Sequence, residues 1–135
     1  MPARTRQLPP SEDAAVAIAL AETALPFAES PSAEVEHWIR ILRMHGEVGT
    51  ALQALGAGER PLSELGADED DSEGVRVDAV YAEASRIAGD RGDEIVATAD
   101  LLSALIQLYG PLFEQVLRAH GVATSELLER LGRVH

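Results

Sequence analysis

The chain has 135 residues, 46% of them hydrophobic, with 23 acidic against 11 basic side chains and a formal net charge of −12 at pH 7. That length suits one compact domain burying roughly two-thirds of its unfolded surface without metal or disulfide staples, and the charge repels a phosphate backbone or an anionic leaflet, so neither nucleic acid nor a membrane is an expected partner. There is no cysteine and every basic residue is Arg, which removes thiolate chemistry, Cys-ligated metals, Schiff bases and a P-loop lysine.

Residues 1–11 are Pro-rich and polar, and predict a flexible arm or one that orders on contact. They lack the apolar centre of a signal peptide, and no apolar run in the chain reaches the roughly 18 residues of a membrane span, so a cytoplasmic location is expected. Ser11-Glu12-Asp13 supplies an N-cap and first-turn acids for a first helix, with Ala14, Ala17, Ile18, Ala21, Ala24 and Leu25 at helical spacing. Pro26 ends or kinks it. The spacing of Val35, Trp38, Ile39 and Leu42 predicts a second helix over about 33–44, closed by His45-Gly46. A third, over about 48–55, stops at Gly56, and Pro61 opens a short fourth carrying Leu62 and Leu65.

Residues 66–74 hold five acids bracketed by glycines and predict a solvated linker, since the alternating ligand pattern of a Ca²⁺ loop is incomplete. Helical spacing resumes with Val75, Val77, Val80, Tyr81, Ala84, Ile87 and Ala88, and stops near Gly89 to Gly92. Thr98 is the expected N-cap of a helix with Leu101, Leu102, Leu105 and Ile106, with Asp100 in its first turn. Gly110-Pro111 opens the next, with Leu112, Val116 and Leu117 inward and Gly121 at its end. Thr124 is the expected cap of the last, with Leu127, Leu128 and Leu131.

The two halves repeat one another. An offset of 63 pairs Ile18 with Tyr81, Ala21 with Ala84, Trp38 with Leu101, Ile39 with Leu102 and Leu42 with Leu105, and an offset of 65 pairs Ala51 with Val116, Leu52 with Leu117, Gly56 with Gly121 and Leu62 with Leu127. The expected fold is therefore all-α: repeat 1 over 12–65, the linker, and repeat 2 over 75–133, two four-helix units packed as a pseudo-two-fold bundle.

Val35-Glu-His-Trp-Ile-Arg-Ile-Leu42 and Ala51-Leu-Gln-Ala-Leu-Gly56 resemble the second-helix and third-helix signatures of the N-terminal domain of Clp-family AAA+ unfoldases, a double four-helix repeat. The Trp after His is similar to the ClpV branch, which recycles type VI secretion sheaths. The resemblance covers about 12–65 and 76–133. Asp100 departs from it, standing where the family places its repeat His, as do Pro26 and the acidic linker. The resemblance implies a non-enzymatic module that binds a protein or peptide, such as an adaptor, a degron or a secretion-sheath helix, in a groove between the repeats. The large apolar side chains near helix ends, Trp38, Tyr109, Leu112 and Phe113, are the candidate contact residues, with partial exposure expected of them. No Gly-x-x-x-x-Gly-Lys-Ser/Thr occurs, so P-loop ATP hydrolysis is outside this sequence.

Two other readings stand beside this one. The same fold could serve a stand-alone regulator that competes for Clp adaptors. Alternatively, Glu34-Val-Glu-His37 has the Glu-x-x-His spacing of di-iron bundles, but the equivalent positions of the second half are Ala97 and Asp100, so a symmetric metal site is not expected. Pairing His37, His45 or His120 with a serine and an acid finds no nucleophile elbow. His37 reads as a helix-start residue bonding locally, and His120, beside Gly121, as a cap to the helix dipole. No cofactor is expected.

Overall fold

The computed structural model describes residues 7–56 and 74–132. The expected fourth helix with Leu62 and Leu65, and the acidic run before Gly74, lie outside the described residues. Within them the chain is an all-α domain of seven helices without a strand: α1 (Glu12–Ala24), a 3₁₀ turn (Leu25–Phe27), α2 (Pro31–Arg43), α3 (Gly46–Leu55), α4 (Val77–Asp90), α5 (Thr98–Tyr109), α6 (Pro111–Ala119) and α7 (Thr124–Arg130). None of the described helices is long and apolar enough to cross a membrane.

Helix ends follow local chemistry. Ser11 Oγ accepts from the Ala14 amide at 3.1 Å, as expected, and Pro26 sits in the 3₁₀ turn where α1 gives out. α2 starts two residues earlier than periodicity indicates, because Ser30 Oγ caps the Ala33 amide at 3.1 Å and Pro31 occupies the first helical position. His45-Gly46 opens α3 instead of closing α2: Gly46 takes φ +67°, and a Cβ there would lie 2.6 Å from Thr98 Oγ1. Gly56 and Gly121 end α3 and α6 with φ of 81° and 82°. At Gly121 the Val122 amide reaches back to the Leu117 carbonyl at 3.2 Å, completing a Schellman turn.

Thr98 and Thr124 are the first residues of α5 and α7, not their caps. The capping residues are Ala97 and Ala123, which have no side-chain acceptor. Asp100 and Glu126 instead reach back from the first turn to the amides of Ala97 (2.9 Å) and Ala123 (3.4 Å), half of a capping box.

α4 packs along α5 and α2 along α3, while α2 also packs on α6, α3 on α5 and α7, and α1 on α2, α4 and α5. One apolar core runs through these contacts, with Trp38, Ile39 and Leu42 from α2, Leu52 from α3, Leu101, Leu102 and Leu105 from α5, and Phe113 and Leu117 from α6. Each such side chain contributes about 1.5–3 kcal/mol on burial. The arm is ordered over residues 7–11: the Leu8 amide donates to Ser85 Oγ at 2.7 Å, the Tyr81 hydroxyl donates to the Leu8 carbonyl, and Pro9 and Ser11 exchange backbone bonds with Val96 at 2.8 Å. The arm therefore lies on α4 and the turn before α5.

Two glycines separate packing from propensity. A Cβ on buried Gly49 of α3 would stand 2.7 Å from the Leu42 and Arg43 carbonyl oxygens, whereas one on exposed Gly89 of α4 meets nothing within 4 Å. Gly49→Ala is expected to lower unfolding free energy by about 1–3 kcal/mol through forced separation of α2 and α3, and Gly89→Ala to raise it by up to about 1 kcal/mol. Urea denaturation of both variants checks the pair.

Candidate functional site

The four expected contact residues mostly belong to the core. Trp38 on α2 and Phe113 on α6 are fully buried, Tyr109 at the end of α5 is buried, and only Leu112 is half-buried. Partial exposure thus holds for Leu112 alone. The reason is that α2 is enclosed by α1, α3, α5 and α6, so its stripe of Val35, Trp38, Ile39 and Leu42 has no solvent side. These residues form the seam between the first three helices and the last four.

Two carboxylates stitch that seam, one half-buried and one buried. Glu34 Oε1 accepts from the Tyr109 hydroxyl at 2.7 Å and from the Val75 amide at 3.0 Å, tying α2 to the end of α5 and to the segment entering α4. Burial pushes the Tyr109 hydroxyl well above the usual phenol range, and the hydrogen bond and negative charge of Glu34 add to it. A Cβ on Gly74 would collide with the Glu34 carboxylate, so the chain passes close only because this residue has none. Beside it lies an open cleft of about 480 Å³ lined by Glu22, Leu25, Pro26, Glu34, Val75 and Asp78.

Glu36 is the second carboxylate, and sequence reasoning missed it. It is 1% exposed, and its Oε1 lies 2.6 Å from Nε2 of buried His120, with Arg40 Nε at 3.8 Å. Its Oε2 is buried without a hydrogen-bond partner. Burial holds the Glu36 carboxyl above the ordinary carboxylate range, outweighing the opposing pull of His120, Arg40 and His37. His120 does occupy the C-cap position of α6, as expected, but its ring turns inward to Glu36, pinning α6 to α2. The spacing of α2 alone contains no sign of a partner 84 positions away.

The pair expected least, Glu34 with His37, is not assembled into a ligand set: Glu34 is engaged by Tyr109 and Val75, and no group of three or more His, Cys, Asp or Glu side chains is arranged for a metal among the described residues. Asp100, the second-half counterpart of His37, is buried and bonds the Ala97 amide. What this arrangement does chemically is hold helices in register. Its outer surface is different: Val16, Leu20 and Phe27 are apolar and exposed, and periodicity counted from Ala14 and Ala17 leaves them without a role. Their signal in the sequence is a second i, i+4 pair on the flank of a helix already supplied with an apolar face. No protein-family model matches the sequence, and no curated protein matches it.

Glu36 predicts a pH dependence of definite sign. Because its folded-state proton affinity is raised, the unfolded chain deprotonates first, and the group's contribution to stability falls as pH climbs from the ordinary carboxylate range through the folded value. Glu36→Gln keeps the shape and a neutral polar group. The unfolding free energy of the variant minus that of the parent is expected to grow with pH across this window. A difference that stays flat or shrinks as pH rises would contradict the assignment.

Proposed function

We propose that the chain is a non-enzymatic, cytoplasmic protein-binding module, two four-helix repeats about a pseudo-two-fold axis, of the kind that precedes Clp-family unfoldases. The observation that supports this most is the reciprocity of packing. Under the offset of 63 to 65 residues, α1 corresponds to α4, α2 to α5 and α3 to α6. The cross-contact of α2 with α6 then becomes that of α5 with α3, while α1 with α4 and α2 with α5 map onto themselves, and all four contacts are present. The left-handed Gly56 and Gly121 fall at the same place in this scheme.

A doubled helical scaffold with buried polar groups committed to its seam recognises partners by its surface. Trp38, Tyr109 and Phe113 fix the relation of the two halves in this reading, and partner side chains meet helix faces and the cleft beside Glu34. The partner is an adaptor, a degron or a helix of a secretion sheath, bound without covalent change.

An amide NMR titration of the full chain with a panel of short basic, acidic, apolar and amphipathic peptides tests the proposal. At least one class is expected to give saturable shifts over a contiguous surface. A panel in which no peptide perturbs the spectrum would contradict it.

A further inference from the structure

α1 is apolar on its outward side as well as its inward one. Ala14, Ala17 and Ala21 are buried against the bundle. Val16 (40% exposed) and Leu20 (42%) nevertheless stand one turn apart on a flank turned to solvent, and Phe27, at the end of the 3₁₀ turn that continues α1, is 83% exposed. Thr23 lies between Leu20 and Phe27 in this row, and its hydroxyl donates to the Leu20 carbonyl at 2.8 Å, so its polar atom is satisfied inside the helix.

The relief of this face suits a helix. Exposed Ala15, Ala19 and Thr23 follow at intervals of four and form a shallow row beside the Val16–Leu20 ridge. Such a row admits the ridge of a second helix at an axis separation of about 8–10 Å. From Val16 to Phe27 the face is about 16 Å long, or about three turns.

Charge selects the occupant. α1 carries Glu12, Asp13 and Glu22 and no basic residue, in a chain of net charge −12. A second copy docking by the same face would set acids against acids, which disfavours it. The ordered part of the arm does not cover the face, because residues 7–11 bond to α4 and Val96.

Resting on the protein-binding reading above, we infer that the outward face of α1 and the following 3₁₀ turn, from Val16 to Phe27, docks a basic amphipathic helix. Its apolar residues, spaced i, i+4, i+7 and i+11, lie on Val16, Leu20, Thr23 and Phe27, and its Arg or Lys side chains flank them beside Glu12 and Asp13. Affinity weakens with added salt, because the flanking pairs are exposed.

The test uses the full chain and two labelled synthetic peptides of about four turns, both with Leu at that spacing, one with Arg and the other with Glu on the flanks. Fluorescence anisotropy is expected to show the Arg peptide binding at least about tenfold tighter than the Glu peptide. Val16→Glu with Leu20→Glu is expected to weaken it by a further factor of about ten or more. The control is Leu108→Glu on α5, at a residue 38% exposed, which adds negative charge elsewhere and is expected to leave affinity within about twofold. Circular dichroism establishes that each variant is folded. Equal effects from Leu108→Glu and the α1 changes would overturn the inference, as would equal binding of both peptides. Sedimentation showing a dimer dispersed by Leu20→Glu would give the face to a second copy and overturn it too. Peptide binding that survives the α1 changes, with NMR shifts on another surface, would overturn the placement while leaving the protein-binding reading intact; silence across the whole peptide panel would remove both.

Discussion

The packing of α2 on α6 is the contact on which the rest of the molecule depends. α2 packs on α1, α3, α5 and α6, and α6 comes from the opposite half of the chain. Trp38, Ile39 and Leu42 supply the apolar mass on one side, Phe113 and Leu117 on the other. A contact of that kind can slide, and the Glu36–His120 hydrogen bond removes the freedom by joining one atom of each helix at 2.6 Å. The orientation of α6 is set further by Gly110, whose φ of 59° with ψ of −134° is open only to glycine and turns the chain sharply out of α5.

Much of this was legible from periodicity and turn chemistry. Ser11, Gly56, Pro111 and Gly121 mark helix ends where expected, because each acts through its own backbone or the next turn. The starts at Thr98 and Thr124 were misplaced by one residue, since a threonine before an apolar run is a good cap by type, yet here Asp100 and Glu126 do that work from inside the helix. Contact residues were the harder problem. A large aromatic at helical spacing has the same pattern whether it faces a partner or a neighbouring helix, and the enclosure of α2 decides that Trp38 faces inward. Glu36 was invisible for the complementary reason: an acid between Val35 and Trp38 looks like a solvated position until His120, far along the chain, is folded onto it.

Polar chemistry at the seam is thus spent on architecture. Glu34 joins three segments from a half-buried position at the edge of the cleft, and Glu36 joins two from a site where water is excluded. A buried carboxylate left with one unsatisfied oxygen costs stability, and it is tolerable where the pairing also selects one helix arrangement over others. The outside carries the opposite balance. α1 spends small alanines on close packing inward and keeps Val16 and Leu20 for the outside, so a single helix both closes the core and presents an apolar face.

The two halves share one core, which couples their opening. Native-state amide hydrogen exchange across a denaturant series tests it most directly. The slowest amides of α2, α5 and α6 are expected to exchange with one common free energy equal to that of global unfolding. Slowest amides of α2 and α3 exchanging at a distinctly lower free energy than those of α5 and α6 would show halves that open separately, and would contradict it.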